Sequence, residues 1–152
     1  MEYEDMVAGA MRRAGFSNIH ATEVMVCGDV RRGGVLYTLQ MILGGLGEYP
    51  ILRPALLIGD GDFPRRSHVY DDGHAITAAM RPEPIINSVL ARIQQSVDSA
   101  ALSLSNEVEQ LAHYLQVEDF LVGEGFRRNA EENSFLTQRL AKLQATSKQA
   151  CA

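Results

Sequence analysis

Tryptophan is absent from the 152-residue chain, and lysine nearly so: 2 Lys stand beside 12 Arg. Cysteine is scarce as well. Cys27 and Cys151 lie far apart, one of them beside the last residue. A single bridge from a chain end is poor stapling, so a disulfide scaffold is excluded and both are read as thiols in a reducing compartment. Long hydrophobic runs are missing too. The most apolar stretches, Val35–Leu46 and Ile51–Ile58, fall short of the ~20 residues that span a bilayer. The first thirteen residues are acidic and lack an apolar run, so no secretory signal is expected there. These absences predict a soluble, cytoplasmic protein, or one assembled into a particle after cytoplasmic synthesis.

What is present is ordinary for a folded domain: 46% hydrophobic and 22% charged residues. A chain of this length buries roughly two-thirds of its unfolded surface, so one core suffices without metal or disulfide. The net charge of −5 argues against a general nucleic-acid binder, which needs a basic footprint. The charge is unevenly placed. Residues 1–82 carry a net −2, residues 83–125 a net −6 and residues 126–152 a net +3. An acidic segment followed by a basic one predicts that the two pack together, within a chain or between chains.

Apolar spacing predicts a helix over Tyr3–Ala14, through Met6, Val7, Ala10 and Met11, with Gly15 as its C-cap. Two further helices are expected at His20–Val30 and Val35–Leu46, separated by Gly33-Gly34. The first two would form an imperfect helix-turn-helix without a basic reading face. Ala55–Ile58 reads as a strand. Ser67–Tyr70 and His74–Thr77, on either side of Asp71-Asp72-Gly73, read as a tight hairpin. Pro82 and Pro84 suit the first turn of a new helix. From Ile85 to Val117 there is no glycine or proline, and apolar residues recur at steps of three and four. That is a coiled-coil-like seam: Ile86, Leu90, Ile93, Val97, Leu104, Val108, Leu111 and Leu115. Unbroken, the helix would be about 50 Å long, against a radius of gyration near ~15 Å for a compact chain of this size. If it breaks, Ser103–Asn106 is the expected place, because Ser and Asn favour caps. A last helix, Arg128–Ala145, carries Phe135, Leu136, Leu140 and Leu143 on one face, and a disordered tail is expected from Thr146.

The predicted fold is therefore mainly-α α+β. Residues 1–82 form a helical cluster with a small hairpin sheet, and residues 83–145 form the long helix and a basic C-terminal helix as an association region.

Three sets of residues are candidates for function. The densest polar cluster is Asp60, Asp62, His68, Asp71, Asp72 and His74, enough oxygen and nitrogen donors for a divalent cation or for acid–base work. Its spacing matches no metal loop, and two polar turns flanking a hairpin are the favoured reading. Gly59-Asp60-Gly61 follows a strand as phosphate loops do, but its own acids would repel phosphate. The second set is four arginine pairs: Arg12-Arg13, Arg31-Arg32, Arg65-Arg66 and Arg127-Arg128. Guanidinium groups grip carboxylate or phosphate bidentately. A GC-rich genome would explain arginine over lysine, though not the pairing. The third set is the long-helix seam. Cys27, seven residues from His20, reads as a buried structural thiol.

These features favour a non-enzymatic assembly or interaction protein: a homo-oligomeric connector subunit or chaperone-like adaptor, associating through the seam and binding protein, with no cofactor. The alternatives are a small metal-dependent hydrolase at Asp60–His74 and a regulator touching nucleic acid through its arginine pairs.

Overall fold

A computed structural model describes residues 2–44, 51–60, 66–71, 74–75, 81–102 and 104–151, the side chains of 74–75 and 147–151 excepted. Its elements run α1 (Tyr3–Arg13), β1 (Ser17–Ala21), β2 (Met25–Arg32), β3 (Val35–Gly44), β4 (Ile51–Ile58), β5 (Ser67–Tyr70), β6 (His74–Ala75), α2 (Glu83–Ser99), α3 (Glu107–Gly123), β7 (Arg127–Arg128) and α4 (Ala130–Cys151). An antiparallel sheet in the order β1-β2-β3-β4-β5-β7 stands at the centre.

This overturns the mainly helical expectation. Of the three predicted N-terminal helices only the first exists. The second and third are strands, which also removes the helix-turn-helix. In β3, Val35, Tyr37, Leu39 and Met41 are buried while Leu36, Thr38, Gln40 and Ile42 between them are half-buried. That is a period of two. Polar Thr38 and Gln40 interrupt the apolar run at alternate positions, a strand signal that outweighs the run's overall hydrophobicity. Gly33-Gly34 closes a two-residue hairpin, with Arg32 paired to Val35. Both glycines have positive φ, +60° and +80°, as the favoured two-residue turn requires. The Gly33 backbone also lies under α2: a Cβ there would stand 2.5 Å from Val97 Cγ1.

The turn of the predicted hairpin, Asp72-Gly73, lies outside the described residues, and the pairing of its two strands is not the expected one. β5 and β6 do not pair with each other. β5 pairs with Ala55–Ile58 and β6 with Ile51-Leu52, both on β4. The register shifts by one residue from β5 to β6. Pro54 of β4 has no N–H to give to a ladder. Pro54 still accepts from the Asp71 N–H at 2.9 Å.

The expected long helix breaks where caps were expected. α2 ends at Ser99 and α3 begins after Asn106, whose side chain accepts from the Glu109 N–H at 2.9 Å. The last helix runs on to Cys151, past the predicted tail boundary. All four helices pack their apolar residues against the sheet. Val7, Met11, Val26, Tyr37, Leu39, Met41, Leu52, Leu56, Ile58, Ile86, Ile93, Leu111, Leu121 and Leu136 share a single core. Both halves of the chain contribute to it.

Candidate functional site

The seam predicted for association is mostly inside this core. Ile86, Ile93, Val97 and Leu111 are buried, and Leu90, Leu104 and Leu115 are half-buried against it. Val108 is half-buried. Two helices of 17 residues, joined by a break, turn their apolar stripes onto the sheet rather than onto a common partner. On the last helix, Leu136 is fully buried, Leu140 and Leu143 are half-buried, and Phe135 stays 43% exposed. The four residues of that predicted face therefore divide between two sides of α4.

The acidic cluster does not assemble among the described residues. Asp60 pairs with Arg31 at 2.9 Å, while His68 Nδ1 lies 2.6 Å from Glu132 Oε2 on α4. Asp71 follows β5 and gives its N–H to the Pro54 carbonyl. Asp62, Asp72 and the His74 side chain lie outside the described residues. No group of three His, Cys, Asp or Glu that could hold a metal occurs among the described residues. The glycine of the suspected phosphate loop has another use. Gly59 has φ +116°, and a Cβ there would stand 2.5 Å from the Tyr114 ring. The loop is shaped to receive an aromatic side chain.

In three of the four arginine pairs one member makes an ion pair within the chain. Arg13 meets Glu83 at 3.0 Å, joining α1 to α2. Arg128 meets both Glu118 and Asp119, joining β7 to α3. Arg32, half-buried, donates to the Arg31 carbonyl at 2.8 Å. Arg12 and Arg127 are exposed, Arg66 is half-buried, and Arg65 lies outside the described residues. Arg139 on α4 reaches Glu107 of α3 at 2.7 Å. The predicted attraction between the acidic and basic segments is thus realised inside one chain.

Sequence reading missed the residues that hold this end together. Glu118 is fully buried on α3. Its carboxylate accepts from Ser67 Oγ of β5, Arg128 Nε of β7 and, at 2.7 Å, Asn133 Nδ2 of α4. Four elements meet at one buried charge, and each donor offsets part of its desolvation. Beside it, the Asn129 N–H donates to the His68 carbonyl at 3.1 Å. The Asn129 side chain caps α4 by accepting from the Glu132 N–H at 3.0 Å. The signal was present in the sequence: Leu111, Tyr114, Glu118 and Leu121 follow the steps of a buried stripe, with an acid where an apolar residue is expected.

Chemically, this cluster is a tie. Ser67 and His68 are neighbours in a strand, so they point to opposite faces. Ser67 Oγ reaches Glu118 and His68 reaches Glu132, which leaves no serine–histidine contact in the pairings. A second possible dyad emerges from the register, which sets His20 opposite Cys27. Burial pushes the Cys27 thiol up, and nearby Asp29 pushes it further. A nucleophilic cysteine needs the reverse, a stabilised thiolate.

Among the described residues no helix is long and apolar enough to cross a membrane. Compared with family models, curated proteins and solved structures, the chain matches none.

Proposed function

We propose that the chain is a non-enzymatic assembly or interaction protein that works as a homo-oligomer. The observation that carries the reading is how its reactive side chains are used. Ser67, His68, Asp60, Glu118 and Glu132 are each engaged in ties between elements. Groups positioned to anchor helices on a sheet are not poised to meet a substrate. The association surface of this reading is no longer the α2–α3 seam, whose apolar residues serve the chain's own core.

Sedimentation velocity at several concentrations and two salt levels tests the reading. A mass of two or more chains at micromolar concentration supports it, and a monomer throughout contradicts it. Thermal melts with Mg2+, Mn2+ and Zn2+ supply a second check. A ligand bound to the native state raises the midpoint, so a clear rise with one of these ions would favour the metal-dependent alternative.

A further inference from the structure

A cleft of about 360 Å³ opens where β2 runs past the start of β1, lined by Gly15, Ser17, Asn18, Asp29, Arg31 and Arg32 among others. That is the small end of the range for small-molecule sites. Strand geometry creates it. Arg32 and Val35 close the two-residue hairpin as a hydrogen-bonded pair, so the next pair, Arg31 and Leu36, is not hydrogen-bonded. Leu36 accordingly turns its carbonyl away from β2, to the Gly59 N–H at 2.8 Å. The N–H and carbonyl of Arg31 turn the opposite way, to the flank that β1 occupies. β1 begins at Ser17, which pairs with Asp29, and so stops short of Arg31. The residues before it bend off into α1: Gly15 and Phe16 give their N–H groups to Arg12 and Met11. A Cβ at Gly15 would meet nothing within 4 Å among the described residues. The backbone edge of Arg31 is left facing open space.

Donors gather at this edge. The Arg31 carbonyl accepts from Arg32 Nη1 at 2.8 Å, which folds the half-buried Arg32 side chain back onto the flank that the Arg31 N–H also faces. Arg32 Nε and Nη2 have no acceptor among the described residues. These two nitrogens form one edge of the guanidinium, the fork that grips two oxygens of a single anion. The one acid lining the cleft is already satisfied: Asp29 accepts from Thr38 Oγ1 at 2.8 Å and from Asn18 Nδ2 at 3.2 Å. Arg31 is paired with Asp60, so the fork of Arg32 is the charge left for a ligand. We infer that this cleft binds a small oxyanion, a phosphate or carboxylate group carried by a small molecule, between the Arg32 fork and the Arg31 N–H. The inference does not rest on the homo-oligomer reading.

The test is an amide NMR titration with inorganic phosphate and, separately, acetate, at fixed ionic strength. It is run on wild type, Arg32→Gln, Arg32→Lys and Arg53→Gln, the last an exposed arginine outside the cleft. Saturable shifts should appear at the Ser17, Arg31 and Arg32 amides of the wild type. Phosphate saturating first assigns a phosphate-bearing ligand, and acetate saturating first a carboxylate; either supports the site. Arg32→Gln should weaken binding by about tenfold or more, the loss of a charged bidentate contact. Arg32→Lys should weaken it as well, because an ammonium keeps the charge and lacks the fork. Its spectrum away from the cleft, matching the wild type, shows that the fold is kept. Arg53→Gln should leave the constant unchanged. Shifts that never saturate with either anion, or that spread evenly over the surface arginines, would overturn the site. So would wild-type affinity in both Arg32 variants.

Discussion

The helix layer is fastened to the sheet in two chemically different ways. At the β2–β3 end the contact is apolar and steric. Val97 of α2 and Leu102 beyond its end press onto the Gly33 backbone, and Ile86 and Ile93 are fully buried. At the β5–β7 end the contact is polar. Glu118 gathers Ser67, Arg128 and Asn133, and His68 meets Glu132. Apolar packing is strong but weakly directional. Hydrogen bonds to a buried carboxylate fix geometry, and they leave a large penalty when one partner is lost. The first region supplies cohesion. The second sets where α4 lies, and with it which side of α4 faces outward.

The largest effect should come from the polar end. Glu118→Ala leaves the Ser67 hydroxyl and the Asn133 amide without their acceptor, and Arg128 with Asp119 alone. The expected loss is about 3–5 kcal/mol, the range for breaking a buried charge pair, read as a lower midpoint in urea unfolding. The matching blow at the apolar end is Gly33→Ala. It pays for a left-handed backbone, about 1–2 kcal/mol, and for overpacking against Val97, about 1–3 kcal/mol. A midpoint unchanged by Gly33→Ala would mean that α2 is not pressed onto the turn.

Tyr37 offers a pH test of the apolar region. Burial pushes its phenol from 10.0 up to about 12, against a smaller opposing effect of Ser96. The folded state therefore holds the proton more tightly than the unfolded chain. Stability from this group is complete below pH 10 and is lost as the pH climbs through 12. Two pH units correspond to about 2.7 kcal/mol. Tyr37→Phe should flatten that part of the stability curve, while wild type and variant fall together if the phenol is not the cause. The smallest effect belongs to Arg139→Ala. Its pair with Glu107 is about one-third exposed, and such pairs contribute about 1 kcal/mol or less.

How much of this was legible depended on whether a signal was local. Asn106 and Pro84 mark helix starts that sequence places correctly, because capping is chemistry within one turn. The bounds of β5 were equally readable from β-prone residues between turns. β2 and β3 were not. Their apolar content matched a buried helix, and the deciding evidence was the alternation through Thr38 and Gln40 together with Gly33-Gly34 as a turn rather than a stop. The seam residues lie in or against the chain's own core, and spacing alone cannot say whether an apolar contact is with the same chain. Glu118 stood in the buried stripe of α3, yet its donors lie 10, 15 and 51 residues away. No local pattern announces a carboxylate completed by three other elements.

The buried Glu118 cluster positions α4. Amide hydrogen exchange on wild type and Glu118→Gln tests it most directly, because the substitution keeps shape and removes charge. Protection should fall in β5, α3 and the first turns of α4, while β2 and β3 exchange as in the wild type. Equal loss of protection across β2, β3 and α4, or none at α4, would contradict it.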